Sequence, residues 1–403
     1  MSGEVKRSDV IIVGGGPAGL MAAITLAAAG VPTVLVGKRP TRPDNRTTAL
    51  LAGSVTALTT LGVWDLCAEH AAPLRVMRIV DDTGRLWRAP EVKFESHEIG
   101  LDAFGQNIEN RHLIAALEQR ARVLTSLKLI EAEVSAIEAG EREVSVRLKD
   151  GETLAAALVV GADGRRSFAR AAAGIAIEKR RYPQSALTVC VGHTRPHRDI
   201  STEFHTTSGP FTLVPLPGPR SSLVCVLDPA KAEEVVALND EALSNEIERR
   251  SHSMLGKISV EQGRGLFPLT SAKARRFADR RIALIGEAAH VIPPIGAQGL
   301  NLGLRDAAAL GELVVAAHRG HADLGHMSLL DRYNEERRTD VASRSMAVDL
   351  LNRSLLSDFL PVQGARGLGL YLIDRIGPLR RAVMREGITP AANGPRLMRG
   401  DSL

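Results

Sequence analysis

The sequence predicts an α/β chain: a parallel sheet begun by a strand–helix–strand unit, an inserted antiparallel sheet, and a helical tail. Three observations carry this. An apolar run over 9–13 passes through a glycine-rich turn into an alanine-rich stretch over 17–29, and a second apolar run follows over 31–36. Near 180 the texture changes to alternating segments broken by turn residues, as in Phe211-Thr-Leu-Val-Pro-Leu-Pro-Gly-Pro. A short apolar strand then returns over 281–285, followed by a glycine- and proline-rich loop and a helix over 299–318.

The elements follow in order. Gly30 stops the first helix. Residues 46–70 read as helix, 74–104 as strands with a turn at Asp82-Thr83-Gly84, and 112–121 as helix. Residues 127–160 alternate as a meander with an Asp150-Gly151 hairpin turn. Residues 158–161 form another buried strand, 186–228 an antiparallel sheet and 231–255 a helix. The expected division is a first, discontinuous domain over 1–73, 105–180 and 271–360. A second domain takes 74–104 and 181–270, and the tail is 361–403.

Composition narrows the function. A length of 403 residues with 44% hydrophobic and 24% charged residues implies a folded chain of two interleaved units. The net charge is only +5 and aromatics make up 3%, without a basic run interleaved with aromatics, so no nucleic-acid partner is expected. Cys67, Cys190 and Cys225 are far apart and odd in number. That argues against a disulfide framework and for a reducing cytoplasm. No run of 18 apolar residues exists to span a membrane. The apolar run at 10–13 is too short for a secretory leader and reads as a buried strand. No metal site is expected.

The first motif is Gly14-Gly15-Gly16-Pro17-Ala18-Gly19, between strand and helix. Gly14 permits the tight turn. Gly16 lets a pyrophosphate approach the backbone, and Gly19 lets helix and strand pack closely. The helix N-terminus supplies N–H groups and a positive dipole end. Together they predict dinucleotide binding. An acid is expected at the end of the second strand to take the ribose hydroxyls, but Gly37 stands there, followed by Lys38 and Arg39 as candidates for the adenosine part. The second motif is Gly161-Ala162-Asp163-Gly164-Arg165-Arg166-Ser167. The third runs from Gly286-Glu287-Ala288-Ala289-His290 to Pro293-Pro294-Ile295-Gly296-Ala297-Gln298-Gly299-Leu300-Asn301. Its glycine-rich loop enters a helix whose N–H groups suit an anionic ring edge. His290 reads as a structural histidine.

In this order the three motifs resemble the flavoprotein aromatic hydroxylases of the p-hydroxybenzoate hydroxylase fold. Within that group the chain is similar to the ubiquinone-biosynthesis hydroxylases. Arg46-Thr-Thr-Ala-Leu with Gly53-Ser54, Leu61-Gly62-Val63-Trp64, Gln106-Asn-Ile-Glu-Asn-Arg111 and residues 368–384 also match. The resemblance implies a glutathione-reductase-like, Rossmann-type FAD domain with an inserted substrate sheet. Gly14, Gly16, Pro17, Ala18 and Gly19 would line the FAD pyrophosphate. Arg46, Gln106 and Arg111 would meet its phosphate and ribityl region. Asp163 would serve FAD and pyridine-nucleotide handling, with Gly286 and Glu287 near the ribityl chain. Pro294, Gly296, Ala297, Gly299, Leu300 and Asn301 would frame the isoalloxazine, with Pro294 and Gln298 on the flavin face. No catalytic triad is implied. NAD(P)H would dock transiently, O2 would be the second co-substrate, and a C4a-hydroperoxide would hydroxylate a hydrophobic, polyprenylated phenol.

Gly37 and the longer Glu287 depart from the family pattern, which predicts weak FAD retention. Residues 367–385 join apolar residues to Arg375, Arg380, Arg381 and Arg385. This predicts a helix suited either to an anionic membrane surface or to the protein's own body. Cytoplasmic placement at the inner face of the membrane, and a place in a quinone-biosynthesis complex, follow from the first of these. The alternatives are a soluble aromatic-catabolism hydroxylase and a non-catalytic FAD-fold scaffold.

Overall fold

The computed structural model describes residues 6–38, 46–84, 90–294, 296–356, 369, 372, 375–388 and 394–403. Arg39 and Ile295 therefore lie outside the described residues.

The first strand, Lys6–Val13, sits inside an eight-stranded sheet. Thr153–Gly161 pairs with it in parallel on one side and Thr33–Val36 on the other. Beyond these lie Ile282–Leu284 and Leu127–Ile130, again in parallel. Val10 to Val13 are buried on both faces, which is why the run is unbroken by polar residues. Val134–Ala139 and Val144–Leu148 add the antiparallel meander. Its hairpin turns at Gly151, φ +92°, where Asp150 Oδ1 accepts from the Glu152 N–H at 3.0 Å.

The first helix, Pro17–Ala28, has proline in its first turn and is rich in alanine. Small residues allow close packing: a Cβ on Gly311, in the helix Gln298–Arg319, would lie 2.4 Å from Thr25 Cγ2.

The second sheet has nine strands, mostly antiparallel. Its order is His290–Val291, Gly265–Ala274, Ile177–His193, Arg220–Leu227, Gly209–Leu216, Ile200–Thr206, Val76–Asp81, Val92–Glu95, with the ninth, Ile258–Val260, paired to the end of Ile177–His193. One face carries Leu187, Val189, Phe211, Leu213 and Leu223 against the helices Pro229–Val236 and Asp240–Arg250. Residues 177–180, 271–274 and 290–291 pair within this sheet, although the sequence reading set them in the first domain.

A three-stranded sheet of Thr47–Leu51, Gly105–Glu109 and Ala71–Pro73 joins the two large ones. Asn107 Nδ2 donates to Pro215 O at 2.8 Å and to Ser222 Oγ at 3.1 Å. The expected helix over 46–70 is thus corrected. It begins as strand, is α-helical only over Ala52–Thr60 and continues in short 3-10 turns at Trp64–Leu66 and Ala68–His70, because Thr47 and Thr48 find partners at 105–109 that no local pattern reveals. The helix expected over 231–255 is two helices. The second is capped by Asn239, whose Oδ1 accepts from the Ala242 N–H at 2.8 Å.

In the tail, the helix Gly377–Ile388 docks on the second sheet. Met384 is buried with Val92, Phe94, Ile99 and Phe104. Arg380 bonds both Glu98 oxygens, at 2.6 and 2.8 Å, and lies over the Phe94 ring. No described helix is long and apolar enough to cross a membrane.

Candidate active site

The parallel strands deliver their C-terminal ends to one place, where ligands bind in open α/β sheets. Gly14 has φ +119°, and a Cβ there would lie 2.2 Å from the Ala162 carbonyl oxygen. A Cβ on Gly19 would lie 2.0 Å from Gly14 O. The first two motifs are therefore packed backbone to backbone. The third joins them through Ala18, whose Cβ would sit 3.3 Å from a Cβ on Gly286 and 3.4 Å from one on Gly303. Two arginines complete the junction. Arg170 donates to Ala288 O at 2.7 Å and to Arg165 O at 2.9 Å, and Arg165 holds Glu287 Oε1 at 3.0 and 3.2 Å.

Three features of this junction fit a dinucleotide. A Cβ on Gly16 would meet nothing within 4 Å, so the backbone there is open to approach. The first helix starts at Gly16 with no side-chain cap and no acidic residue in its first turn, which suits a phosphate. Asp163 accepts from the Ala169 N–H with Oδ2 at 3.1 Å, while its buried Oδ1 has no protein partner. An orphaned buried acceptor is rare and calls for a donor.

Gly37 explains itself sterically. A Cβ there would lie 2.4 Å from Gly15 N, so no acid fits. Lys38 is paired to Glu133 at 2.6 Å. Hydrogen bonds from Lys149 and Lys38 hold the Glu133 carboxyl down at about 2. Restoring the acid as Gly37→Glu is expected to lower stability by about 1–3 kcal/mol through overpacking, without tightening FAD. Thermal denaturation and flavin titration check this; tighter FAD binding at unchanged stability would refute it.

The other candidates form two further groups. Gln106 lies on the three-stranded sheet opposite Leu50. Arg46 precedes that sheet, with its guanidinium 6.0 Å from the Phe267 ring of the second sheet. Arg111 pairs with Glu109 at 3.0 Å, and Arg220 reaches the same carboxylate at 3.4 Å. Pro294, Gly296, Ala297, Gln298, Gly299 and Leu300 lie in the loop and first turn of the helix Gln298–Arg319. That helix starts without a side-chain cap, from Ala297 in the left-handed region at φ +54°. Asn301 is committed to the protein. Its Oδ1 accepts from Leu51 N–H and Ser54 Oγ, and its Nδ2 donates to Ala49 O and Ala297 O. It fixes the loop instead of facing outward.

Sequence reasoning missed the support beneath this site. Asp306, fully buried, accepts from His290 Nε2 at 2.6 Å and the Gly286 N–H at 2.9 Å on one oxygen. Its other oxygen accepts from Arg337 Nε at 2.7 Å. Burial alone would raise the Asp306 carboxyl, but the His290 and Arg337 charges and the hydrogen bonds hold it below the usual range. His290 is therefore structural, as read from the sequence. Asp306 lies five positions beyond the end of the third motif, and nothing in the sequence pointed to Arg337.

A dinucleotide cradle at the C-terminal ends of a parallel sheet, set against a second, largely antiparallel sheet, is the architecture of a dinucleotide-binding enzyme, and its relatives make it an FAD-dependent monooxygenase. The chain belongs to the family described as "FAD binding domain", matched over residues 7–347. It is 38% identical to ubiquinone hydroxylase UbiL of Rhodospirillum rubrum, covering 98% of this chain and 93% of that one. It is 32% identical to 3-demethoxyubiquinol 3-hydroxylase of Escherichia coli, over 95% and 99% of the two chains. Among solved structures it superposes on p-nitrophenol 4-monooxygenase PnpA of Pseudomonas putida with a TM-score of 0.79. That match covers 97% of this chain and all of the other, at 20% identity.

Proposed function

We propose that this protein hydroxylates the aromatic ring of a polyprenylated phenol in ubiquinone biosynthesis, using NAD(P)H and O2. The observation that carries this reading is the full-length similarity to the two ubiquinone-pathway hydroxylases. Bound FAD supplies the oxygen-transfer chemistry, and the protein supplies orientation, a dry enclosure and charge. Gly14, Gly16 and the N-terminus of the first helix would hold the pyrophosphate, and Asp163 Oδ1 would take a donor from the cofactor. Arg46, Gln106 and Arg111 would bind the phosphate–ribityl region, Arg111 leaving Glu109 to do so. The N-terminal turn of the helix Gln298–Arg319 would present N–H groups to the flavin ring. The test is NAD(P)H oxidation by the FAD-loaded protein with a 2-prenylated phenol, with mass analysis of the product. A phenol that gains one oxygen supports the reading. Without phenol-dependent oxidation, the reading fails in favour of a scaffold.

The tail supports placement at the inner face of an anionic membrane and, with it, a place in a quinone-biosynthesis complex. Leu372, Ile376, Leu379 and Val383 are each 38–44% exposed at helical spacing, with Arg375, Arg381 and Arg385 exposed nearby. The adjoining face, through Met384 and Arg380, is pinned to the protein. The double variant Leu379→Asp, Val383→Asp is expected to lose binding to phosphatidylglycerol vesicles by roughly tenfold or more, about two buried aliphatic side chains. Equal flotation of variant and wild type would retire the membrane reading.

A further inference from the structure

The face of the second sheet turned away from its helices is mostly buried, with one open band across it. Glu203 pairs with Thr212, Thr212 with Val224, Val224 with Thr188, and Thr188 with Gly265. Because side chains alternate along a strand, these residues share one face, opposite to Phe211, Leu213 and Leu223. Glu203, Thr212, Val224 and Thr188 are all partly exposed, as are Ser201 and Val214 beside the first two, whereas Ala186, Cys190, Ser222 and Val226, flanking the last two on that face, are buried. At one end of the band stands Phe267, whose ring would lie 2.7 Å from a Cβ on Gly265. Arg46 leans on that ring. At the other end stands the only charged group of the four, Glu203. The band crosses four strand spacings, about 19 Å.

Glu203 is built in. His205 Nε2, on a ring only 2% exposed, lies 2.8 Å from Glu203 Oε1, and Thr212 Oγ1 donates to Oε2 at 3.2 Å. Burial pulls the Glu203 carboxyl upward, but the hydrogen bond and charge of His205 outweigh this and leave it below the usual range. A carboxylate fixed by two neighbours on a partly exposed band of the sheet accepts a hydrogen bond from an incoming hydroxyl. FAD's flavin ring is remote from its phosphates. With Arg46 on the phosphates, as proposed above, the Glu203 end is left for the reacting ring.

We infer that Glu203, held in place by His205 and Thr212, is the catalytic residue that binds the hydroxyl of the phenol substrate; this rests on the phenol-hydroxylase reading above. When the electrophilic oxygen of the monooxygenase reaction bonds to the ring, electron density moves from the phenolic oxygen into the ring. Its O–H bond breaks and the proton passes to Glu203. The ring then sheds the hydrogen at the new C–O carbon as a proton, aromaticity returns, and Glu203 gives its proton back to the first oxygen. His205 acts through Glu203 as a positioning residue.

The test uses the FAD-loaded protein without NAD(P)H, with 4-nitrophenol as the probe. A fixed carboxylate disfavours a second anion beside it, so binding to wild type bleaches the yellow phenolate band at neutral pH. Glu203→Gln, which keeps the shape and an acceptor, is expected to retain the band. With a 2-prenylated phenol and NAD(P)H, it is expected to lower kcat by about 100-fold with little change in KM. Equal bleaching by a folded Glu203→Gln protein would assign the effect to desolvation and overturn the inference. If that variant does not fold, wild type alone decides. 4-Nitroanisole, which has no hydroxyl to donate, is expected to bind at least about tenfold more weakly than 4-nitrophenol. Equal affinity overturns this inference and leaves the phenol-hydroxylase reading standing. Failure of every phenol to bind or to accelerate NAD(P)H oxidation sinks both.

Discussion

Asp306→Ala is expected to destabilise the protein by about 3–5 kcal/mol, the usual loss when one partner of a buried ion pair is removed. The carboxylate holds three donors, the Gly286 N–H, His290 Nε2 and Arg337 Nε. Without it Arg337, 2% exposed, keeps only the Asp340 contact at 2.7 Å. The turn that carries Glu287 also loses its anchor, so FAD affinity falls with stability. The pH dependence has a definite sign. A carboxyl held below its ordinary value contributes stability above the ordinary range and loses it as pH falls through the folded value. Wild type should therefore lose stability toward acid more steeply than the variant. Urea unfolding across pH measures both effects, and a variant within 1 kcal/mol of wild type, on the scale of an ordinary surface change, would refute them.

Gly14→Ala should weaken FAD binding on the order of 100-fold, about 3 kcal/mol. The added methyl would fall 2.2 Å from Ala162 O, at a backbone φ of +119° that side-chain-bearing residues rarely adopt. The loop must shift away from the strand Thr153–Gly161, and the N-terminus of the first helix shifts with it. Flavin fluorescence titration is the readout. Gly16→Ala is the contrast: its Cβ meets no protein atom within 4 Å, so it perturbs binding only by entering the space left for ligand. Equal stability of the two variants together with equal affinity would show that the cradle does not bind the cofactor.

What was legible in the sequence was local. The cradle at Gly14, Gly16 and Gly19 lies within six residues, so its spacing is plain in the sequence even though Gly14 packs on the distant Ala162. The Asp150-Gly151 hairpin was legible for the same reason. What was hidden was non-local. Arg337 lies 31 positions from Asp306, on another helix, and no periodicity links them. Thr47 and Thr48 become strand only because 105–109 lies beside them. Glu203 sits in an alternating strand, where a polar residue reads as ordinary solvent-facing alternation. Its meaning depends on which sheet face is covered by helices. Gly37 was read as a lost acid, whereas its contact with Gly15 makes it a packing requirement.

The interleaving of distant segments also sets an order of events at the ribosome. Lys6–Val13 is made before its partners, its sheet is finished only after Ile282–Leu284, and the anchor under the turn that carries Glu287 waits for Arg337. The nascent chain therefore stays open until those segments emerge, with a long-range topology that closes slowly. FAD capture becomes a late event. Because a ligand that binds only the folded form stabilises it by mass action, flavin supply in the cell would govern how much of this protein survives its own maturation.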